Sequence, residues 1–417
     1  SRMFGSSFPE ESIENNGIGP FLEIGKEGRK TSLVYPTKKF KDSLFLQISD
    51  LNIELYHAPG ETNDQIFVWI PKYKALFPGD NFYKAFPNLY TIRGTPYRDL
   101  HQWVKSIDKM RYLKPELLVP SHSKPIQGQE EIFKNLTDYR DAIQYVHDQT
   151  VRLMNKGMSP NKISNQIKLP SHLANSPFLK EFYGTPGWSS KNVFTGYLGW
   201  FDGNPSTLNP ISKNEEAKKI IELAGGKSNL IKEAEDSLEA GEYQWSLQIT
   251  DYLLMDDGND DLAKNIRIKA LNALGEMNTN PNARYYYLSS AAELSPSYKE
   301  PPLLKPTKEV LKNLPIEIVF EILKVSLIPE KSIDKNIHLN LNFSDSSKTY
   351  SLILRNGVLE VQPFEVKGSS VQVETDEISW KEIVTGDRSL PVSMATGLLS
   401  VKGDRVSLIN FFNSFRE

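Results

Sequence analysis

The sequence has 417 residues and a mass of 47.4 kDa, and at about 150 residues per domain this length predicts two or three domains. Hydrophobic residues make up 39% of the chain and charged residues 24%, a balance typical of folded proteins that excludes disordered and collagen-like classes. The 49 basic and 52 acidic residues nearly cancel to a net charge of −3, so the charge balance argues against nucleic acid or an acidic membrane surface as a partner.

The first 128 residues are predicted to form strands joined by polar loops. Short apolar runs, several of them alternating, predict strands at 43–48, 52–56, 65–70, 75–77 and 116–119, and a helical period predicts a helix at 96–113. Most of these strands end in loops rich in glycine, proline or serine. The region therefore looks like one part of a mixed α/β domain.

After Gly128 the pattern becomes helical. Apolar residues at spacings of four and three predict an amphipathic helix of about 25 residues that stops at Gly157. Further helices are predicted at 160–168, 189–200, 213–225, 228–239, 243–255, 259–274 and 282–293. No run of 18 apolar residues occurs, so no membrane span is predicted.

A proline-rich joint at 301–306 precedes a third region. A helix is predicted at 308–325, and alternating or short apolar runs then predict strands at 337–343, 350–354, 358–361, 370–373 and 399–402, with helices at 380–385 and 406–415. This is the pattern of a small α+β domain built on an antiparallel sheet.

Three loops that follow predicted strands each carry a metal-ligand type of side chain: Glu61, Asp80 and His122. The chain has no cysteine, which excludes disulfides, thiolate zinc sites and cysteine nucleophiles, so any metal must be held by His, Asp or Glu. Carboxylate oxygens mixed with imidazole suit zinc or a similar divalent ion. The sequence therefore predicts a metal site where these loops converge.

The order of these motifs resembles the second half of the metallo-beta-lactamase fold. The motifs are Pro-Gly-Glu-Thr at 59–62, Leu-Phe-Pro-Gly-Asp at 76–80 and Ser-His-Ser at 121–123. Glutamate at position 61, where most of that superfamily has histidine, and the run Asn-Leu-Tyr-Thr-Ile-Arg-Gly at 88–94 resemble the alkylsulfatase branch. Further runs at 139–150 and 197–205 are similar to that family's helical dimerisation region, and the run at 397–404 is similar to its sterol-carrier-protein-like closing domain.

The resemblance implies a three-part architecture. Residues 1–127 would form the C-terminal half of a metallo-beta-lactamase αββα sandwich, 128–300 an all-helical dimerisation domain, and 301–417 a sterol-carrier-protein-like α+β domain. It also implies a homodimer and a sulfuric ester hydrolase that cleaves alkyl sulfates to alcohol and sulfate by attack of a metal-bound hydroxide on carbon.

The resemblance also implies roles for individual residues. Glu61 and His122 would be terminal ligands of a two-zinc site, and Asp80 would bridge the two ions and serve catalysis. Thr91 and Arg93 match the family's sulfate-holding Thr-x-Arg, since a guanidinium forks onto a tetrahedral anion, and Asn88 is assigned to substrate binding beside them.

Two departures from the family pattern lead to further expectations. The His-x-His-x-Asp-His motif that supplies the family's other ligands does not occur in the sequence, so an upstream segment or fragment of the same precursor is expected to complete the site. The segment 82–87 lacks the histidine that protonates the departing sulfate in bacterial members, and Lys84 or Tyr83 could supply that proton.

The sequence is also compatible with two other functions. The missing histidine permits a metallo-hydrolase of another ester or of a phosphoester, and the C-terminal region permits a non-catalytic dimeric lipid-binding protein with a vestigial metal site. Of the other five histidines, His57 is expected to support the site from outside the ligand set. The remaining four are expected to be structural and without converging partners: His101, His147, His172 and His338.

Overall fold

The computed structural model describes residues 2–5, 8–9, 13, 15, 34–299 and 308–415. These fall into two compact units, one containing residues 39–299 with the described N-terminal residues, and the other containing residues 308–415 with residues 34–38. The sequence also has a short β-like run at 31–35, and this run lies partly outside the described residues. The proline-rich joint at 301–306 lies entirely outside them.

The first unit begins with a six-stranded sheet whose strands follow chain order. All neighbouring strands pair antiparallel except β4 and β5, which pair parallel through Ala75 with Leu117 and Leu76 with Leu118. The strands are β1 (Ser43–Ile48), β2 (Leu51–His57), β3 (Ile66–Ile70), β4 (Ala75–Phe77), β5 (Leu117–Leu118) and β6 (Ile126–Gln127). The parallel pair requires the crossover that helix α1 (Leu100–Tyr112) provides.

Helix α1 packs against the long helix α2 (Gln129–Met154). Both helices are amphipathic, and one continuous core joins them to the sheet and to later helices, with Trp103 and Tyr139 fully buried in it. The pair is antiparallel, because Arg111 near the end of α1 donates to Thr137 in the first half of α2. The boundary at 127/128 stays a prediction, and the core is continuous across it.

The rest of the first unit is helical. Three shorter helices come first: α3 (Pro160–Gln166), α4 (Ser171–Ala174) and α5 (Pro186–Leu198). Five further helices follow, each packed on its neighbours in the chain: α6 (Lys213–Leu223), α7 (Lys227–Glu239), α8 (Tyr243–Asp256), α9 (Asp261–Met277) and α10 (Pro281–Glu293). Within the described part of the chain, no helix combines the length and apolarity needed to cross a bilayer.

The second unit is a five-stranded sheet with helices packed on it. The strand order is β11-β10-β7-β8-β9, with β7 and β10 parallel and the other pairs antiparallel. Its elements are α11 (Lys308–Asn313), α12 (Ile316–Ser326), β7 (Asn336–Phe343), β8 (Thr349–Arg355), β9 (Val358–Gln362), β10 (Val371–Thr375), α13 (Glu377–Val384), α14 (Leu390–Ala395), β11 (Leu399–Gly403) and α15 (Arg405–Asn413). The single helix predicted at 308–325 is two helices, because Pro315 occupies the N-cap of α12 and disfavours helical backbone in the residue before it.

Leu339 at the centre of β7 tests the packing of this second core. Its side chain is fully buried in the cluster that includes Phe320 and Trp380. We expect Leu339→Ala to lower the free energy of unfolding by about 2–5 kcal/mol, since it deletes buried methyl groups and leaves a cavity. The measurement is urea unfolding of the whole chain, and Val358→Ala on the same sheet, where the side chain is 61% exposed, is the control that should change stability by less than about 0.5 kcal/mol. Equal losses in both variants would contradict the assignment of this core.

Candidate functional site

Asp80 and His122 meet at the carboxyl ends of the two parallel strands. Asp80 lies in a 3-10 turn (Gly79–Asn81) just after β4, and His122 lies in the loop after β5. Because these strands are parallel neighbours, their ends lie side by side, and His122 Nδ1 donates to Asp80 Oδ1 at 2.7 Å. This hydrogen bond raises the pKa of His122 above its ordinary value, although partial burial opposes the shift.

Glu61 reaches the same edge from the loop between β2 and β3, and Asn81 fixes that loop to the Asp80 turn. The Glu61 amide donates to Asn81 Oδ1 at 3.2 Å, and Asn81 Nδ2 donates to the Ala58 carbonyl at 2.7 Å. The Trp103 indole donates to the Asn81 carbonyl at 3.1 Å. One buried asparagine therefore holds both ligand-bearing loops against helix α1.

The two loops approach so closely that only glycine fits at position 60. A Cβ there would lie 2.0 Å from Asn81 Oδ1. We therefore expect Gly60→Ala to displace Asn81, to lower the free energy of unfolding by about 1–3 kcal/mol, and to weaken divalent-metal binding by roughly 10- to 100-fold, as loss of an outer supporting contact does. Denaturant unfolding and metal titration measure both effects.

The matched control for this change is Gly258→Ala. The nearest atom to a Cβ at that position is the Leu254 carbonyl oxygen at 3.6 Å, an ordinary contact. Unchanged metal affinity in Gly60→Ala would show that the contact between the two loops does not support the site.

Glu61 is buried and only half satisfied. Its Oε1 accepts from Arg98 Nη1 at 3.1 Å, whereas Oε2 is buried without a hydrogen-bond partner among the described residues. Burial raises the pKa of Glu61 to about 7, Arg98 opposes this shift, and the nearby charge of Asp80 adds to it. The site thus holds two neighbouring carboxylates and an unsatisfied oxygen, which are conditions that a bound cation relieves.

The donor set fits a divalent metal of the zinc type. Glu61, Asp80 and His122 offer two carboxylates and an imidazole on neighbouring loops, and each of the three interacts electrostatically with another. Hard oxygen with imidazole nitrogen is a ligand set that zinc accepts. Three side chains are enough for one ion and too few for two.

Thr91 and Arg93 lie close together near this edge. Arg93 Nη1 donates to the Thr91 hydroxyl at 3.1 Å, and the Arg93 charge acts on Glu61. The Thr91 hydroxyl is buried and donates to the Met3 sulfur at 3.4 Å, while the Arg93 guanidinium lies 5.6 Å from the centre of the Phe4 ring. Thr91 and Arg93 therefore contact each other, with N-terminal residues packed against them, and their role in anion binding stays a prediction.

Asn88 is buried with both atoms of its side-chain amide unpaired among the described residues. Its backbone is fixed on both sides, since its amide donates to the Tyr83 hydroxyl at 2.7 Å and its carbonyl accepts from Arg98. An unpaired buried amide is costly unless a further group binds it. The role of Asn88 in substrate binding stays a prediction.

Lys84 is exposed and is held through its backbone rather than its side chain. Its amide donates to the Ser123 hydroxyl at 2.8 Å, and Ser123, next to His122, has a left-handed backbone with φ of 85°. Its ammonium nitrogen lies 5.6 Å from the centre of the Phe178 ring and borders a groove of ≈580 Å³. Among the described residues, the Lys84 side chain forms no hydrogen bond or ion pair with Asp80.

Sequence reasoning missed two residues of the site. Arg98 and Asn81 organise Glu61, yet neither belongs to the motifs that identified the ligands. Asn81 follows Asp80 directly, and this position next to a predicted ligand is the one sequence signal that could have pointed to it. Arg98 carries no sequence signal, because only the fold places it beside Glu61.

Comparison with known proteins decides the family. Family models match residues 33–122 as metallo-beta-lactamase superfamily, 159–297 as alkyl sulfatase dimerisation and 305–417 as alkyl sulfatase C-terminal. A linear primary-alkylsulfatase of Pseudomonas sp. (strain ATCC 19151) is 34% identical over 99% of this chain and 80% of its own length. The chain belongs to the alkylsulfatase family.

More distant alkylsulfatases agree. An alkyl/aryl-sulfatase of Saccharomyces cerevisiae is 28% identical over 86% of this chain and 56% of that protein. The solved structure of a stereoselective inverting sec-alkylsulfatase from Pseudomonas sp. is 26% identical, with a TM-score of 0.86 over 93% of this chain and 62% of that one. The chain thus spans less than two thirds of these two proteins.

Several expectations are confirmed by this family membership. The fold class is that of an alkylsulfatase, with a metallo-beta-lactamase part, a helical dimerisation part and an α+β C-terminal part, and the family is one of metal-dependent sulfuric ester hydrolases. The likeness of the last part to sterol carrier proteins stays a prediction.

The expectation that His101 and His147 have no converging partners is wrong. One ring nitrogen from each histidine and an oxygen of Asp148 lie within 4.8 Å of one another. The antiparallel packing of α1 on α2 brings residues 46 positions apart together, which no local sequence pattern predicts.

Proposed function

We propose that the protein of which this chain forms part hydrolyses alkyl sulfate esters to the alcohol and sulfate. The observation that carries the proposal is the hydrogen bond between Asp80 and His122, with the buried Glu61 and the Arg93 charge close enough to act on one another electrostatically. In this proposal the metal ligands act together with a cation and a hydroxyl of the kind that binds a tetrahedral anion.

The metal centre we propose contains two zinc ions. Glu61 and His122 would each bind one ion and Asp80 would bind both, with an upstream segment of the same protein supplying the remaining ligands. Zinc in such a centre lowers the pKa of water and provides a nucleophile near neutral pH.

The chain's own residues would bind and orient the ester. Arg93 would form paired hydrogen bonds to two sulfate oxygens, Thr91 would donate a third, and the unpaired Asn88 amide would donate to the same group. Arg98 would keep Glu61 ionised and oriented. These interactions concentrate positive charge on the group that leaves, which favours sulfate as the departing anion.

The bond changes follow from this orientation. Water would first lose one proton to solvent, and the resulting hydroxide oxygen would bond to the ester carbon. The bond from carbon to the ester oxygen would break at the same time, and its electron pair would leave with sulfate. Lys84 would donate a proton to the leaving sulfate from the groove at its side.

We further propose that the helical region forms a homodimer and that the substrate is an amphiphilic anion.

Sulfate release tests the proposal. The natural full-length protein, loaded with zinc, is incubated with primary and secondary alkyl sulfates and with the matching alkyl phosphates, in water labelled with ¹⁸O. We expect sulfate from the sulfates, ¹⁸O in the alcohol, and little phosphate. Release of phosphate alone would favour a phosphoesterase. Release of neither anion from substrates of any alkyl chain length would contradict the proposal.

A further inference from the structure

A cluster of three potential metal ligands lies apart from the proposed catalytic centre, between helices α1 and α2. His101 is in the first turn of α1, while His147 and Asp148 are near the end of α2. The two imidazole rings lie edge to face with their centres 4.0 Å apart, and His147 Nδ1 donates to Asp148 Oδ1 at 2.8 Å. The ligand atoms of these three side chains all lie within 4.8 Å of one another, and no other three His, Asp or Glu side chains in the described part of the chain meet that distance.

We propose that His101, His147 and Asp148 bind a divalent transition-metal ion of the zinc type. Two imidazoles and one carboxylate are borderline ligands that suit zinc rather than magnesium or calcium. Tetrahedral zinc with bonds of 2.0–2.2 Å holds its ligand atoms about 3.4 Å apart, so the observed cluster needs only small side-chain movements. The ion takes the position of the proton between His147 and Asp148.

The supporting contacts are those that a metal ligand requires. The Tyr197 hydroxyl bonds His147 Nε2 at 2.9 Å, and Gln144 Nε2 donates to Asp148 Oδ2 at 3.0 Å. An outer hydrogen bond on the second ring nitrogen fixes the orientation of a ligating histidine. The ring nitrogens of His101 have no hydrogen-bond partner among the described residues, so this side chain is free to ligate.

The exposure of the three residues also suits an ion arriving from solvent. His147 is buried, whereas His101 and Asp148 are exposed, so one face of the cluster is open and leaves a position for water. The ion would join the start of α1 to the end of α2. Helix α1 also carries Trp103, which holds Asn81, and the metal would therefore brace the helix behind the catalytic loops.

The test separates this site from the proposed catalytic one. In a chain carrying Glu61→Gln and His122→Ala, we measure Zn²⁺ by equilibrium dialysis with elemental analysis, and Co²⁺ by its visible absorption. We expect one Zn²⁺ per chain. His101→Asn or Asp148→Asn should weaken binding by more than the roughly 10- to 100-fold that loss of an outer contact costs, and Tyr197→Phe should weaken it within that range.

The control is His172→Asn, an exposed histidine outside the cluster, which should leave zinc binding unchanged. Circular dichroism in metal-free buffer checks that each variant folds. If the double background is unstable, the same comparison uses the parent chain, where His101→Asn should remove one equivalent of zinc. Equal zinc binding before and after His101→Asn overturns the proposal, whatever the outcome for sulfate hydrolysis.

Discussion

Replacing Asp80 with asparagine is expected to abolish alkyl sulfate hydrolysis and to lower the metal content of the protein. The carboxylate accepts from His122 and lies beside Glu61, so it is the proposed shared ligand of the metal centre. A metal ion contributes several kcal/mol to transition-state stabilisation, which corresponds to a fall in kcat/KM of about 10³-fold or more. Elemental analysis and sulfate release from the natural full-length protein measure the two effects.

The matched control is Asp50→Asn. Asp50 is an exposed carboxylate whose only ion pair among the described residues is with Lys72, so both rate and metal content should stay as in the parent. A second pair compares His122→Ala with His172→Ala, since His172 is an exposed histidine with no part in the proposed site. Full metal content in both Asp80→Asn and His122→Ala would exclude this set as the metal ligands.

Replacing Arg98 with methionine is expected to destabilise the metal-free protein in a way that depends on pH. Arg98 and Glu61 form an ion pair with side chains 6% and 10% exposed. Removing one partner of a buried pair costs about 3–5 kcal/mol while the other stays charged. Arg98 also bonds the Asn88 carbonyl, and this hydrogen bond is lost at every pH.

The pH dependence follows from the direction of the Glu61 shift. The pKa of Glu61 in the folded protein, about 7, lies above its ordinary value of 4.5, so ionising this group costs stability as the pH rises between these values. The variant loses the contact that opposes the shift, and its pKa rises further. The difference between parent and variant should therefore be small near pH 5, where Glu61 is protonated in both folded forms, and should grow through neutral pH.

Urea unfolding at a series of pH values with a metal chelator present measures this difference. Arg152→Met is the control, since Arg152 is exposed and bonds Gln149, and it should change the free energy of unfolding by less than about 0.5 kcal/mol at every pH. A loss in Arg98→Met that is the same at pH 5 and pH 8.5 would contradict the proposed coupling to Glu61.

The candidate site was partly predictable because its ligands follow strands that the sequence marks clearly. The apolar runs before Glu61, Asp80 and His122 predict strands, and the loops after them are short and rich in glycine and proline. Strand order then brings the loops to one edge. The identity of the neighbours that tune these ligands was not predictable, since Arg98 lies 37 positions from Glu61 and meets it only through packing.

The sequence by itself determined the order of elements, the three ligand-bearing loops and the family resemblance, because periodicity and motif spacing are local properties of the chain. Its composition, with six histidines and no cysteine, also restricted any metal to His, Asp and Glu. The tertiary structure alone decided which side chains contact one another. These contacts are the ion pair of Arg98 with Glu61, the hydrogen bonds of Asn81 that join two loops, and the cluster of His101 with His147 and Asp148. These contacts depend on helix packing and strand pairing between distant segments. The burial and the electrostatic environment of a side chain are set by its neighbours in space, and local sequence patterns do not predict those neighbours.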